Sequence, residues 1–494
     1  MRYALTLLLL ANVACRTTET SDAAARDIER FVQQTLRAIP DVPSVGIAIV
    51  RDGKPYYAGG FGYADVEKKT AANAQTAYYI GSTTKAYTGL ACAILANRGL
   101  LDLDAPITKY LPEVKMTAPL NVKKITLRKF LTHTSGIEND AIVFRTAFSG
   151  EHNPALLVSL LNSSKPRQEG FHYDNLGYVV ASLVIERVTG QPWQKALDEL
   201  VFTPLGMNHT TAYMSEASRW PLASPYEMNR QGQMELLRFV KNDQMMHAAG
   251  GIVTTPAELE RWLEANINEG RIGGRQVIPA EAFREAQRQQ VATTIERDRF
   301  KGRGYGFGWY QATLDGDDVL FHGGGYEGWR SHVSFMKDKK IGVAVATNSG
   351  GFAVPVISLI AGYIYDRFLQ KPDAEASNAD RLGKLKANIE QQRQRFLADV
   401  EKRSKRPWML QHPNQAYVGT YESPLYGRLR IEQRGDKLVA SLAQLNAVVE
   451  AFTEPETARV ELVPGSGEVL RFTFGNSDIA QSVKWADEVF QRVD

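Results

Sequence analysis

The segment Ser82-Thr83-Thr84-Lys85 sets a hydroxyl three residues ahead of an amine. Behind it Tyr87, Leu90, Ala91, Ile94 and Leu95 recur at i, i+3, i+4, i+7 and i+8, which predicts a buried amphipathic helix ending at Asn97-Arg98-Gly99. Ser82 then lies in the first turn, and Lys85 faces the same side. A helix N-terminus favours negative charge on the hydroxyl oxygen. A neighbouring amine can accept or relay the proton, which is the chemistry of a nucleophilic serine. The same spacing also fits a serine that only caps an ordinary helix.

A second group is Tyr173-Asp174-Asn175, ahead of Leu176, Val179, Val180, Leu183 and Val184 at helical spacing, with Gly190-Gln191-Pro192 as the stop signal. A phenol beside an ammonium is expected to ionise more easily, so Tyr173 could serve as base to Ser82 and as acid to a leaving group. Asn175 offers both a donor and an acceptor, enough to hold Lys85 and a substrate amide together. An Asx cap beside a core tyrosine is the competing reading. A third group is His322-Gly323-Gly324-Gly325, following Val319-Leu320-Phe321. Glycines leave a strand edge open to a substrate backbone, and the N–H of Gly325 could join that of Ser82 in holding an oxyanion. Gly323 to Gly328 also fits a dinucleotide-binding glycine pattern, but Trp329 to Met336 reads as a strand where that pattern needs a helix. A strand-end histidine in a glycine turn is the plain alternative for His322.

These groups must be positioned by widely separated elements. Ser44 to Val50 reads as a strand, Asp52-Gly53 as a tight turn and Tyr56 to Tyr63 as the returning strand. Residues 82–290 read as mostly helical. Strand signals return over 305–348, with Ser331 to Phe335 paired to Ile341 to Val345. The expected fold class is α+β: an antiparallel sheet flanked by helices, with an inserted helical lobe, plus a small C-terminal antiparallel β-barrel domain. The expected divisions are 1–22 as signal peptide and tether, 23–370 as the main domain, 371–412 as linker and helix (371–380 being the linker), and 413–494 as the small β domain.

Composition narrows the function classes. The 494 residues carry 58 Lys+Arg against 55 Asp+Glu, a net +3 without a basic block, which excludes a nucleic-acid partner. The two cysteines, Cys15 and Cys92, exclude a disulfide framework, and the isolated histidines provide no metal-ligand spacing, so neither metal nor cofactor is expected. Cys92 is expected to be an apolar filler. Ala4 to Ala11 is too short to span a bilayer and has the shape of an export signal. Asn12-Val13-Ala14-Cys15 resembles a lipoprotein cleavage site, so export is expected, to the periplasm or to a membrane through lipidated Cys15.

The order Ser-x-x-Lys, Tyr-x-Asn, His-x-Gly resembles the serine β-lactamase and penicillin-binding-protein superfamily, in its class C-like branch of D-Ala-D-Ala carboxypeptidases, D-aminopeptidases and β-lactamase-like esterases. Supporting matches are Leu131-Thr-His-Thr-Ser-Gly136, Pro204-Leu-Gly-Met207 and Ala249-Gly250-Gly251 leading to Thr254-Thr-Pro256, and the resemblance covers about residues 25–365. It implies Ser82 as acylated nucleophile, Lys85 as its proton partner, Tyr173 as base, Asn175 as a substrate-positioning residue, and His322 with Gly323, Gly324 and Gly325 as the strand beside the site. Class C β-lactamases carry Lys-Thr-Gly where this chain has His322-Gly323-Gly324. A mostly neutral imidazole replaces a fixed charge, and a glycine replaces a hydroxyl donor. That departure implies weaker carboxylate recognition and shifts the reading from β-lactamase towards peptidase or esterase.

The segment from Tyr417-Val-Gly-Thr-Tyr421 onward resembles the lipocalin-like barrel appended to some of these hydrolases. The implied function is an exported serine hydrolase acting through an acyl-enzyme on a small-molecule or peptide substrate, with D-amino-acid peptides or amides first, small esters second and β-lactams third. A slowly deacylating penicillin-binding sensor is the alternative. A C-terminal domain covering the cleft is a further reading, and the oligomeric state is left open.

Overall fold

The computed structural model of the chain describes residues 23–238, 241–463 and 465–494. The expected export signal and Cys15 lie outside these residues.

The main sheet has nine antiparallel strands. In spatial order they are Val291–Arg297, Phe300–Tyr305, Tyr310–Leu314, Asp317–Tyr326, Trp329–Met336, Ile341–Thr347, Ser44–Arg51, Lys54–Asp65 and Thr70–Ala71. The N-terminal hairpin therefore completes a sheet built from the far end of the domain, with Val45 opposite Thr347. Asp52 and Gly53 turn that hairpin with φ of 53° and 73°, the left-handed pair that matches strand twist.

Helices cover both faces, so the central strands read as unbroken apolar runs. Val45, Ile47, Ile49, Val343 and Val345 pack under helices Ala23–Ala38 and Ala353–Phe368, where Phe31 stacks on Tyr363 at 4.0 Å. The alternate residues Ala48, Val50 and Ala344 join the opposite core, which includes helix Pro256–Ile267 and the helical lobe. The period of two along each strand thus sorts side chains into two separate cores.

Helix Thr84–Asn97 runs through the larger core, and every residue from Thr84 to Leu95 is buried. The one-sided pattern expected from the sequence understates this, because the nominally polar side consists of small residues. Gly89 packs against Phe307, and a Cβ there would come within 2.6 Å of the Phe307 Cβ. Cys92 is buried on this helix, and burial pushes its thiol up to about 12, so it acts as packing.

Residues 371–380 are not a linker throughout. Helix Ala374–Ser404 begins directly after Pro372 and Asp373. Asn378 is fully buried and donates to the Asp366 carboxylate at 2.8 Å, and Ile389 joins the core under the sheet. Alanines and acidic residues that look like tether composition are helix-compatible once one face is docked.

The C-terminal residues form a second nine-stranded antiparallel sheet whose edge strands, Leu445–Val448 and Glu450–Ala451, are separated by Val449 alone. The sheet is therefore curled into a nearly closed barrel around Tyr421, Leu429, Ile431, Leu438, Val483 and Phe490. It rests on the helical lobe through Phe144, whose ring meets Trp485 edge-on at 5.2 Å.

Candidate active site

A cleft of about 600 Å³ opens beside the strand Asp317–Tyr326 and is lined by Ser82, Tyr173, Asn175, His322, Gly323, Gly324 and Gly325. Lys85 lies behind this lining, in contact with Ser82 and Asn175.

Ser82 sits in a tight turn, Gly81–Thr83, immediately before helix Thr84–Asn97. The turn lies against the glycine strand. Gly81 has φ of +52°, and a Cβ on it would fall 2.6 Å from the Gly325 nitrogen. A Cβ on Gly324 would overlap the Ile80 carbonyl oxygen. The same carbonyl accepts from Ser331 Oγ at 2.6 Å and from Thr83 Oγ1 at 2.9 Å. These two glycines allow the backbone N–H groups of the nucleophile turn and of the strand to approach one another, the arrangement an oxyanion site requires.

Lys85 is fully buried and makes three contacts through Nζ: Asn175 Oδ1 at 2.7 Å, the Ala249 carbonyl at 3.0 Å and Ser82 Oγ at 3.3 Å. Burial pulls its amine down to about 7, opposed in part by the Asp174 carboxylate. A neutral amine retains two N–H donors and gains one lone pair. Asn175 and Ala249 can only accept from it, so the lone pair is left to Ser82.

Tyr173 behaves differently from the sequence expectation. Its phenol is pushed up to about 12, because burial of the hydroxyl end outweighs the hydrogen bond to Ser82 and the Arg297 charge. Tyr173 as a whole is 40% exposed in the cleft, while its hydroxyl is engaged with Ser82. Lys85 Nζ faces the ring at 4.8 Å from its centroid. The burial that would strand a phenolate also discharges the lysine expected to stabilise it.

The supporting motifs hold these groups from behind. His133, in Leu131–Gly136, packs on Tyr173 at 4.7 Å and accepts the Asp174 N–H at 3.3 Å. Tyr178 donates to the Leu131 carbonyl at 2.9 Å. Asn175 stands at the start of helix Leu176–Thr189, which ends at left-handed Gly190. Ile252, just after Ala249-Gly250-Gly251, receives at its carbonyl the Ile80 N–H at 3.0 Å.

His322 is buried. Its Nδ1 donates to the Gly323 carbonyl at 2.7 Å, which leaves Nε2 as acceptor for Tyr305 at 3.2 Å. Burial foremost, and Lys85 whenever it carries a proton, hold it well below its ordinary value, so it is neutral. Gly323, Gly324 and Gly325 pair with His332, Ser331 and Arg330 on the next strand.

The sequence reading missed Arg297 and Glu327, both of which line the cleft. Arg297 ends the strand Val291–Arg297, and its guanidinium occupies the space that a side chain at 323 would need. Glu327 lies in the turn after Gly325-Tyr326. Nothing in the local sequence marks either one. Among the described residues of 413–494, none lines the cleft.

A family model described as "Beta-lactamase" matches residues 32–360. Protein flp of Staphylococcus aureus is 28% identical over 347 residues, covering 68% of this chain and 66% of its own length. The chain thus spans just under two thirds of that relative. The unguisins hydrolase ungD' of Aspergillus campestris is 23% identical over 434 residues, covering 84% of this chain and 79% of its own. Among solved structures, the octameric penicillin-binding protein homologue from Pyrococcus abyssi superposes with a TM-score of 0.60 at 22% identity, covering 94% of this chain and 99% of its own. A D-stereospecific amidohydrolase from Streptomyces sp. gives a TM-score of 0.52 at 27% identity over 65% of this chain and 94% of its own.

Proposed function

The chain belongs to the beta-lactamase family, a family of serine hydrolases, and from that premise we propose that it hydrolyses amide bonds of D-amino-acid peptides through an acyl-enzyme on Ser82. The observation that carries the reading is the three-way engagement of Lys85, which leaves its lone pair to the Ser82 hydroxyl. Neutral Lys85 takes the hydroxyl proton as Oγ bonds to the substrate carbonyl carbon. The N–H groups of Ser82 and Gly325 hold the oxygen that becomes negative. The proton then passes from Lys85, by way of the Tyr173 phenol, to the leaving nitrogen, and the C–N bond breaks. A water attacks the acyl carbon and returns its proton through the same groups, and Ser82 Oγ leaves as a hydroxyl.

Tyr173 is thus a proton donor and relay, and Lys85 is the base. The D-amino-acid preference is supported by the likeness to a D-stereospecific amidohydrolase and by the exchange of Lys-Thr-Gly for His322-Gly323-Gly324. Export, with lipidation of Cys15, is part of the proposal on the strength of residues 4–15.

The test is a panel of D-amino-acid amides, D-Ala-D-Ala peptides, p-nitrophenyl esters and a chromogenic cephalosporin. It is run on the wild type and on Ser82→Ala. Turnover of the D-peptides that disappears in the variant supports the reading. Turnover of cephalosporin or esters alone contradicts the substrate class, and near-native turnover by Ser82→Ala contradicts the mechanism.

A further inference from the structure

Two charged side chains line the cleft without a partner. Arg297 makes no hydrogen bond or ion pair among the described residues, although its guanidinium lies over Gly323 and the residue is half-buried. Glu327 likewise makes none. Arg330 also lines the cleft beside Gly325, but it forms no ion pair with Glu327, and its Nη1 is engaged with the Tyr326 and Trp329 carbonyls, the latter at 2.8 Å. Lys241 is committed to the Ala147 and Met245 carbonyls at 3.0 and 2.9 Å. Leaving two ionisable groups unpaired in a half-buried cleft is costly, and the cost shows in Glu327, where burial and the Glu227 charge push the carboxyl up to about 7; a cationic ligand group beside it restores the carboxylate.

The two charges have opposite signs and flank the same glycine strand, one beside Gly323 and one just beyond Gly325. Four residues of extended chain span roughly 13 Å, and both side chains line the cleft along that stretch. An extended dipeptide or tripeptide spans roughly 7–11 Å. We propose that the cleft selects short peptides with both ends unblocked, Arg297 receiving the α-carboxylate and Glu327 the α-ammonium.

This deepens the D-peptidase reading and rests on it. The polarity follows from the proton path. Tyr173, which hands its proton to the leaving nitrogen, lines the same part of the cleft wall as His322 and Gly323, over which the Arg297 guanidinium lies. The leaving amino acid, with its carboxylate, therefore lies at the Arg297 end, and the acyl residue, with its free amine, runs past Gly325 towards Glu327. Glycine at 323 is what admits the guanidinium, so a charge absent from His322 enters from another strand.

The experiment compares D-Ala-D-Ala with its N-acetyl, C-amide and doubly blocked forms, measuring cleavage of the same D-Ala–D-Ala bond by product chromatography. In the wild type, kcat/KM falls roughly 10- to 100-fold for each block, the effect of one lost charged hydrogen bond. In Arg297→Gln the penalty for C-amidation disappears while that for N-acetylation remains. Glu327→Gln gives the converse. Gly323→Ala, whose methyl displaces only the tip of Arg297, matches Arg297→Gln and guards against misfolding of the latter. Four peptides cleaved alike by the wild type, or penalties unchanged in the variants, overturn the proposal and leave the D-peptidase reading standing. Cleavage of none of the four removes that reading and the proposal with it.

Discussion

Lys85 Nζ lies 2.7 Å from Oδ1 of Asn175 and 3.3 Å from Oγ of Ser82, so the amine is anchored by the amide and offered to the nucleophile. The short contact fixes its direction, and the longer one is where a proton moves. Burial sets its charge.

The first consequence is a pH profile. With Lys85 near 7 and Tyr173 near 12, kcat/KM should rise with pH through about 7 and stay high into the alkaline range while the phenol keeps its proton. Asp174, His133, His247 and His322 are the charged or titratable groups around Lys85. Removing the Asp174 charge by Asp174→Asn should lower the midpoint further. Steady-state kinetics across pH 5–10 checks both, and a midpoint near 10 would contradict the assignment of Lys85 as base.

Stability should show the opposite face of the same burial. The amine titrates near 10.5 unfolded and near 7 folded, so the unfolded chain binds more protons between those values and stability rises with pH there. Below pH 7 the folded state bears the full cost of a buried charge, on the order of a few kcal/mol. Lys85→Met should therefore gain stability relative to wild type at pH 6 and lose that advantage towards pH 10. Thermal melts of both proteins at the two pH values measure it. A constant difference would mean that Lys85 is charged in the fold throughout.

The close backbone approach at the nucleophile makes Gly324 a further test. Gly324→Ala would overlap Ile80 and Ser331, which are held by backbone and by a short hydrogen bond. A loss of about 1–3 kcal/mol is expected for such overpacking. Activity should fall more than stability, because the turn bearing Ser82 is what must move. Chemical denaturation combined with kcat separates the two.

The barrel's contact with the lobe is expected to support the cleft. Phe144 meets Trp485 at 5.2 Å and Phe148 at 5.8 Å, and Phe148 stacks at 5.6 Å on Tyr326 in the cleft wall. Phe144→Ala should loosen the barrel, seen as faster proteolysis within helix Ala374–Ser404, and should raise KM with a smaller effect on kcat. A rise in kcat/KM would instead favour a C-terminal part that obstructs the site.

Local spacing made much of this legible. The Ser82 and Tyr173 groups each precede a helix that the hydrophobic period marks, the His322 group lies on a strand that the apolar run Val319 to Phe321 marks, and the hairpin at Asp52-Gly53 follows from turn chemistry. Electrostatics was less legible, because the protonation of Tyr173 depends on burial contributed by distant segments. Arg297 was invisible for a related reason. An arginine in an alternating polar strand looks solvated until sheet register sets it beside Gly323. Helix Ala374–Ser404 was shortened in the reading because tether-like composition conceals a docked face.

The most direct test of the central claim is to mix the protein with a p-nitrophenyl ester, quench in acid within the first turnover, and map the modified peptide by mass spectrometry. The account predicts one acyl group per chain, carried on Ser82 and absent from Ser82→Ala. An acyl group on another residue, or none while p-nitrophenol is still released by Ser82→Ala, would contradict it.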